Sequence, residues 1–238
     1  AELIEQWERG ATRIVLLGRQ GAGKGTQAEL LAQHYGVPRV STGDMFRAGV
    51  NQTTEWGLDV HRSMDSGELV ADDLVVAMVR QRISEPDAAN RGFVLEGFPR
   101  TTAQAEALDT ILRPHRLNLV IELVVPVELV LVRLAARRVC VSCGTNYSVE
   151  RPPVTDWTCD SCGGPVVERQ DDRSAVISRR LALYEEQTAP LVSWYRQSGR
   201  LCTADGTGDL DVVTARLLAA VEQHRLAMAQ PPGTPLKR

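Results

Sequence analysis

The sequence predicts an α/β protein: a five-stranded parallel sheet with helices on both faces and two insertions. Three observations predict it. Short, nearly continuous apolar runs recur along the 238 residues, as strands buried on both faces do. Helical patterns separate these runs, as parallel crossovers require. A glycine-rich turn joins the first run to the first helix, and in such sheets ligands gather at the carboxyl ends of strands.

In chain order, Arg13 to Leu17 is the first strand and Lys24 to Tyr35 the helix after the glycine turn. Val37 to Val40 follows Gly36 as the second strand, Gly92 to Leu95 is the third, and Leu119 to Val125 the fourth. Leu201 to Ala204 is a weaker fifth. Helical patterning is expected over Arg173 to Trp194 and over Leu210 to Met228. Two segments break the alternation. Residues 41–70 read as short polar helices, and residues 137–172, rich in Cys, Gly and Pro, as a separate module. The core is therefore expected over 1–40, 71–136 and 173–228, with a Pro-rich, frayed tail at 229–238.

Bulk composition excludes several classes. Hydrophobic residues make up 43% and charged residues 24%, as in ordinary globular domains. A net charge of −3 offers no basic field for nucleic acid or an anionic membrane. Residues 1–10 lack the basic and apolar regions of a signal peptide, and the longest apolar stretch, Leu119 to Pro126, is too short to cross a bilayer. The expectation is a cytoplasmic protein.

Gly18-Arg-Gln-Gly21-Ala22-Gly23-Lys24-Gly25-Thr26 lies between a strand and a helix, the setting that a phosphate-cradling loop needs. Glycines let backbone N–H groups close around phosphate oxygens, the helix N-terminus adds positive potential, and Lys24 adds a point charge. Gly25 stands where a magnesium-binding hydroxyl follows the lysine in most such loops; Thr26 comes one residue late. Arg100 sits just past the third strand, where parallel sheets bind ligands. Arg133 and Arg137, spaced four apart, are expected to share one helix face.

Cys140-x-x-Cys143 and Cys159-x-x-Cys162 have zinc-ribbon spacing, with Gly144 and Gly163 after each pair. Four thiolates leave no open coordination position, so the site reads as structural. All four histidines, at 34, 61, 115 and 224, lie outside this segment. Cys202 reads as a small core residue in the fifth strand. The mixed charge of the module argues against a nucleic-acid-binding ribbon.

G-x-x-G-x-G-K-G-T is the loop form of nucleoside monophosphate kinases. Ser41-Thr42-Gly43-Asp44-Met45-Phe46-Arg47 and Gly97-Phe98-Pro99-Arg100-Thr101, with Gln104, resemble segments of the adenylate kinases. Arg133, Arg137, Arg169 with Asp171-Asp172, Arg180 and Asp205-Gly206-Thr207 follow in the family's order, so the resemblance runs from about Arg13 to Val221.

The resemblance implies phosphoryl transfer from ATP with magnesium to AMP, giving ADP, by a monomer with a nucleoside-monophosphate-binding insertion (41–70) and a zinc-bearing lid (137–172). It implies that Gly21 to Thr26, Arg133, Arg137, Asn146, Tyr147 and Gly208 contact ATP. Thr42, Arg47, Met64, Glu68, Leu69, Val70, Gly97, Phe98, Pro99, Arg100 and Gln104 are implied at AMP, and Arg169 and Arg180 over both. Lys24, Arg100, Arg137, Arg169 and Arg180 carry the catalytic charge in this reading, and Glu96 holds magnesium through water. The two insertions are expected to close on binding. Gln20, Glu96 and Gln170 depart from the family's usual Pro, Asp and Lys, which leaves a weakly active relative, or a kinase for another monophosphate, as alternatives.

Overall fold

The computed structural model describes residues 11–50, 55–169, 172 and 174–229. Residues 1–10, 51–54, Gln170, Asp171, Arg173 and 230–238 lie outside them, as does the side chain of Met64.

Strand β1 (Thr12–Leu17) leads into helix α1 (Lys24–Tyr35), then β2 (Arg39–Ser41). Helices α2 (Thr42–Val50), α3 (Glu55–Ser66), α4 (Asp72–Ile83) and α5 (Pro86–Arg91) precede β3 (Gly92–Glu96). Then come α6 (Thr102–Ile111), β4 (Leu119–Val124) and α7 (Val127–Ala136). Strands β5 (Arg137–Cys140), β6 (Asn146–Ser148) and β7 (Val166–Glu168) form a small unit. Helix α8 (Ser174–Leu183), a π-helical turn (Tyr184–Thr188), α9 (Ala189–Gln197), β8 (Leu201–Asp205) and α10 (Leu210–Ala229) complete the described chain.

The main sheet has five parallel strands in the order β2-β3-β1-β4-β8. Alternate residues of β1 feed opposite cores, which is why the run is apolar throughout. Ile14 and Leu16 pack with Ala28 and Leu31 of α1 and Leu217 and Val221 of α10. Val15 and Leu17 pack with Val79 of α4, Leu108 of α6, and Leu191 and Tyr195 of α9. Each fully buried Ile, Leu or Phe contributes roughly 1.5–3 kcal/mol. This rigid sheet sets the carboxyl-end loops at 18–23, 97–101 and 206–209 side by side. No helix among the described residues is long and apolar enough to cross a membrane.

One helical expectation is corrected. Arg137 does not continue the helix of Arg133: α7 ends at Ala136 and Arg137 is extended (φ −67°, ψ 137°), opening β5. The four-residue spacing therefore does not place both arginines on one helix face. The helical pattern expected over Arg173 to Trp194 holds among the described residues, as α8, a π-helical turn and α9 in unbroken succession. Pro190 lacks an N–H and would crowd the carbonyl four residues earlier, and a widened turn before it relieves both. Cys202 lies in β8 as expected but is only half-buried, against the edge of the core.

Residues 137–168 form an antiparallel sheet of order β6-β5-β7. Its apolar cluster is Cys140, Cys159 and Val166, with Tyr147 packed against them, and Pro153 is the other buried residue of the segment. So few apolar groups give little burial energy, and small units of this kind ordinarily need a cross-link or a metal.

Candidate active site

The glycine loop between β1 and α1 is shaped by what surrounds it. Gly18 has φ 141°, and a Cβ there would lie 2.6 Å from the Leu123 carbonyl oxygen of β4, so only glycine fits. Helix α1 starts at Gly23 with no side-chain cap, which leaves its first-turn N–H groups to an anion. Lys24 Nζ donates to the Gly18 and Arg19 carbonyls, at 2.7 and 2.8 Å. Burial pushes its pKa down to about 8; Glu96 acts against this, while Arg100 and Arg137 lower it further.

Around this loop one cavity of about 490 Å³ is lined by Gly21 to Thr26, Arg47, Arg100, Arg133, Arg137, Asn146, Tyr147, Arg169, Arg180 and Gly208. Arg133 donates to the Ala22 and Gly206 carbonyls at 3.3 and 3.0 Å, bracing the loop against the turn after β8. Arg137 is gripped by Asp172, with its Nε at 2.6 Å from Oδ2 and its Nη2 bonded to Oδ1. Arg100 Nε donates to the Gly97 carbonyl at 2.9 Å. Its pKa is lowered, first by burial, then by Arg180 and Arg169, with Glu96 opposing. Cations held close enough to depress one another are stabilised by a polyanion.

A second, smaller cavity adjoins the first on the β2–β3 side, lined by Gly43, Arg47, Glu68, Leu69, Val70, Gly97, Arg100, Gln104, Arg169 and Arg180. Arg47 pairs with Asp44 one helical turn back. Gln104 is 2% exposed and spans the wall: Oε1 accepts from the Arg100 N–H at 2.7 Å and Nε2 donates to Asp72 at 2.6 Å. Thr42 is buried behind Gly97, where any Cβ would meet its hydroxyl at 2.5 Å. Pro99 reaches the larger cavity, whereas the Phe98 side chain is buried in the core. Glu68 pairs with Arg179 of α8 at 3.3 Å, both about half exposed.

Glu96 ends β3 and faces the cleft. Its Oε1 accepts from Arg39 Nη2 at 3.1 Å and from Ser41 Oγ at 2.5 Å. The same oxygen lies 3.8 Å from where a Gly25 Cβ would be. The carboxylate thus overhangs the position at which the loop lacks a metal-binding hydroxyl.

The four cysteines form two matching knuckles. The Gly144 N–H donates to the Cys140 carbonyl at 3.0 Å, and the Gly163 N–H to the Cys159 carbonyl at 2.8 Å. All four Sγ atoms lie within 4.8 Å of one another, with Cys140–Cys162 and Cys143–Cys159 at 3.5 Å. Tetrahedral zinc with 2.3 Å bonds places sulfurs about 3.8 Å apart, so the set fits that ion. The contacts are far longer than the ~2.05 Å of a disulfide. Tyr147 OH donates to Cys159 Sγ at 3.4 Å and accepts from the Asp160 N–H at 2.8 Å, orienting that sulfur from outside the cluster.

Sequence reasoning missed Arg39, which bridges Asp44 at 2.7 Å and Glu96 at 3.1 Å, and Asp72, which fixes Gln104. Both pairings with distant residues leave no local signal. Arg47 with Asp44, spaced i, i+3 on a helix, could have been found.

Comparison with known proteins adds an independent line. The family model described as "Adenylate kinase" matches residues 16–200. An adenylate kinase of Carboxydothermus hydrogenoformans is 46% identical over 214 residues, covering 89% of this chain and 100% of the relative. One of Salinispora tropica is 47% identical, covering 89% and 99%. One of Archaeoglobus fulgidus is 43% identical, covering 88% and 98%.

Proposed function

The chain belongs to the adenylate kinase family, and from that premise we propose how its own residues move a phosphoryl group between ATP and AMP. The observation that carries the reading is the pair of joined cavities, with the glycine loop at one end, Gln104 at the other and arginines between. ATP takes the larger cavity, its phosphates on the Gly21 to Thr26 backbone and on Lys24, Arg133 and Arg137. AMP takes the smaller, its phosphate on Arg47 and Arg100. Arg169 and Arg180 line both cavities and so reach the phosphoryl in transit. The protein forms no covalent intermediate. It contributes position and charge, which is what phosphoryl transfer needs.

Phosphoryl transfer in water wastes ATP, so the two insertions are expected to close over the substrates. The active unit is read as a single chain, since the two joined cavities share Arg47, Arg100, Arg169 and Arg180 within one fold. The thiol cluster suits a reducing, cytoplasmic setting. Base choice is tested by ADP formation from ATP with AMP, UMP, CMP or GMP. AMP is expected to lead in kcat/KM; equal rates with UMP would make the chain a kinase of broader choice.

Magnesium, when bound with ATP, neutralises charge on the bridging phosphates. Glu96 is positioned to accept hydrogen bonds from its waters, since magnesium keeps several. Glu96→Gln is expected to raise the magnesium requirement and to cut turnover ~10-fold or more, while Glu96→Asp keeps most activity. An unchanged magnesium titration for Glu96→Gln would leave the carboxylate as a partner of Arg39 and Ser41 alone.

Zinc on Cys140, Cys143, Cys159 and Cys162 supplies cross-linking to the 137–168 sheet that its small core cannot. Metal analysis is expected to find one zinc per chain. Chelation is expected to lower Tm by several degrees or more, because metal binding is folding energy in such units. Purified native protein with no zinc and four freely titrating thiols would exclude this.

A further inference from the structure

Two consecutive residues of the phosphate loop reach away from it, to the two ends of α8, the helix that carries Arg180. Gln20 Nε2 donates to Asp172 Oδ1 at 2.9 Å. Asp172 lies just before α8, its side chain is 1% exposed, and it also grips Arg137. Arg19 goes to the other end: its Nε donates to Glu185 Oε1 at 2.7 Å, and its guanidinium lies over the Tyr184 ring, 5.4 Å from the centroid. Tyr184 and Glu185 open the π-helical turn that follows Leu183. Thr188, at the far end of that turn, donates to the Arg100 carbonyl at 3.0 Å.

We propose that Arg19 and Gln20 are positioning residues, a two-point clamp that holds α8 against the phosphate loop and so sets where Arg180 and Arg137 meet the transferring phosphoryl. The inference rests on the reading of those two arginines as phosphate-binding. Charge stabilisation of this kind needs a fixed geometry, within roughly 0.5 Å. A surface helix interrupted by a widened turn does not supply that alone. Arg19 is not simply one more phosphate cation, because Glu185 takes its charge.

The test compares steady-state kinetics of Arg19→Ala, Gln20→Ala, Glu185→Gln and the double variant Arg19→Ala/Glu185→Gln. Each single variant is expected to lose ~5–10-fold in kcat with KM for AMP little changed, since misplacement acts in the transition state. The double variant should lose no more than Arg19→Ala alone, because the two residues act as one unit. Arg19→Lys, which keeps a charged donor for Glu185, should recover most of the loss. Turnover within twofold of the parent in the single variants, or additive losses, would overturn the clamp. So would tighter ATP binding in Glu185→Gln, the mark of an arginine released to bind phosphate. Arg180→Ala is the control: if it keeps full turnover, the reading of Arg180 has failed rather than the clamp.

Discussion

Lys24→Ala is expected to lower kcat by at least ~100-fold, about 2.7 kcal/mol, with a Tm close to that of the parent. The ammonium sits on the Gly18 and Arg19 carbonyls, inside the loop proposed to receive the phosphates. Moving it onto a phosphate oxygen exchanges two neutral acceptors for an anion whose charge shifts during transfer, so its effect falls on turnover. Its pKa of about 8, depressed by burial, keeps it protonated at pH 7. Holding it charged in the fold costs stability in full below about pH 8, and this cost fades as pH rises towards the ordinary lysine value. Truncation removes that cost together with the two loop hydrogen bonds, and these oppose each other in Tm. ATP binding by the parent is expected to weaken above about pH 8, as the free enzyme loses this charge, and Lys24→Ala should lack that limb. A variant with unchanged kcat and only a raised KM for ATP would make Lys24 a ground-state contact.

The strands were legible because burial on both sheet faces writes a continuous apolar run, and the glycine loop because close backbone approach demands glycine at Gly18. The clustering of the four cysteines was legible because each Cys-x-x-Cys-Gly pair is a local turn. Arg137 was not. A four-residue spacing from Arg133 reads as a helix face, yet a carboxylate 35 residues on, Asp172, captures the side chain while the backbone turns into β5. The Gln20–Asp172 and Arg19–Glu185 pairs span 152 and 166 residues and leave no periodic trace. Phe98 shows the converse. Its motif marks the site, but its side chain fills the core beneath while Gly97 and Arg100 face the cleft. A motif carries segment placement further than it carries the direction of each side chain.

Arg100→Ala is expected to be at least as costly to turnover, ~100-fold or more, while Tm stays within ~2–4 °C of the parent. Arg100 joins the two cavities. Its backbone N–H holds Gln104, its Nε holds the Gly97 carbonyl, and its carbonyl accepts from Thr188. Truncation leaves both backbone contacts in place and removes only the guanidinium. That group is held at a cost in the free protein, since burial and the nearby Arg180 and Arg169 all disfavour its charge. Removing it relieves repulsion and offsets the lost bond to Gly97, so stability should barely move. In the proposed transition state the same guanidinium would face the acceptor phosphate and the incoming phosphoryl, where charge on both sides has to be neutralised at once. Arg100→Lys should recover only a small part of the loss, because a single ammonium cannot hold the Gly97 carbonyl and a phosphate in the fork geometry of arginine. Single-turnover rates keep chemistry separate from lid opening and product release. If Arg100→Ala raises KM for AMP and leaves the single-turnover rate at saturation intact, Arg100 binds AMP equally in ground and transition states, and the charge for transfer comes from Arg169 and Arg180.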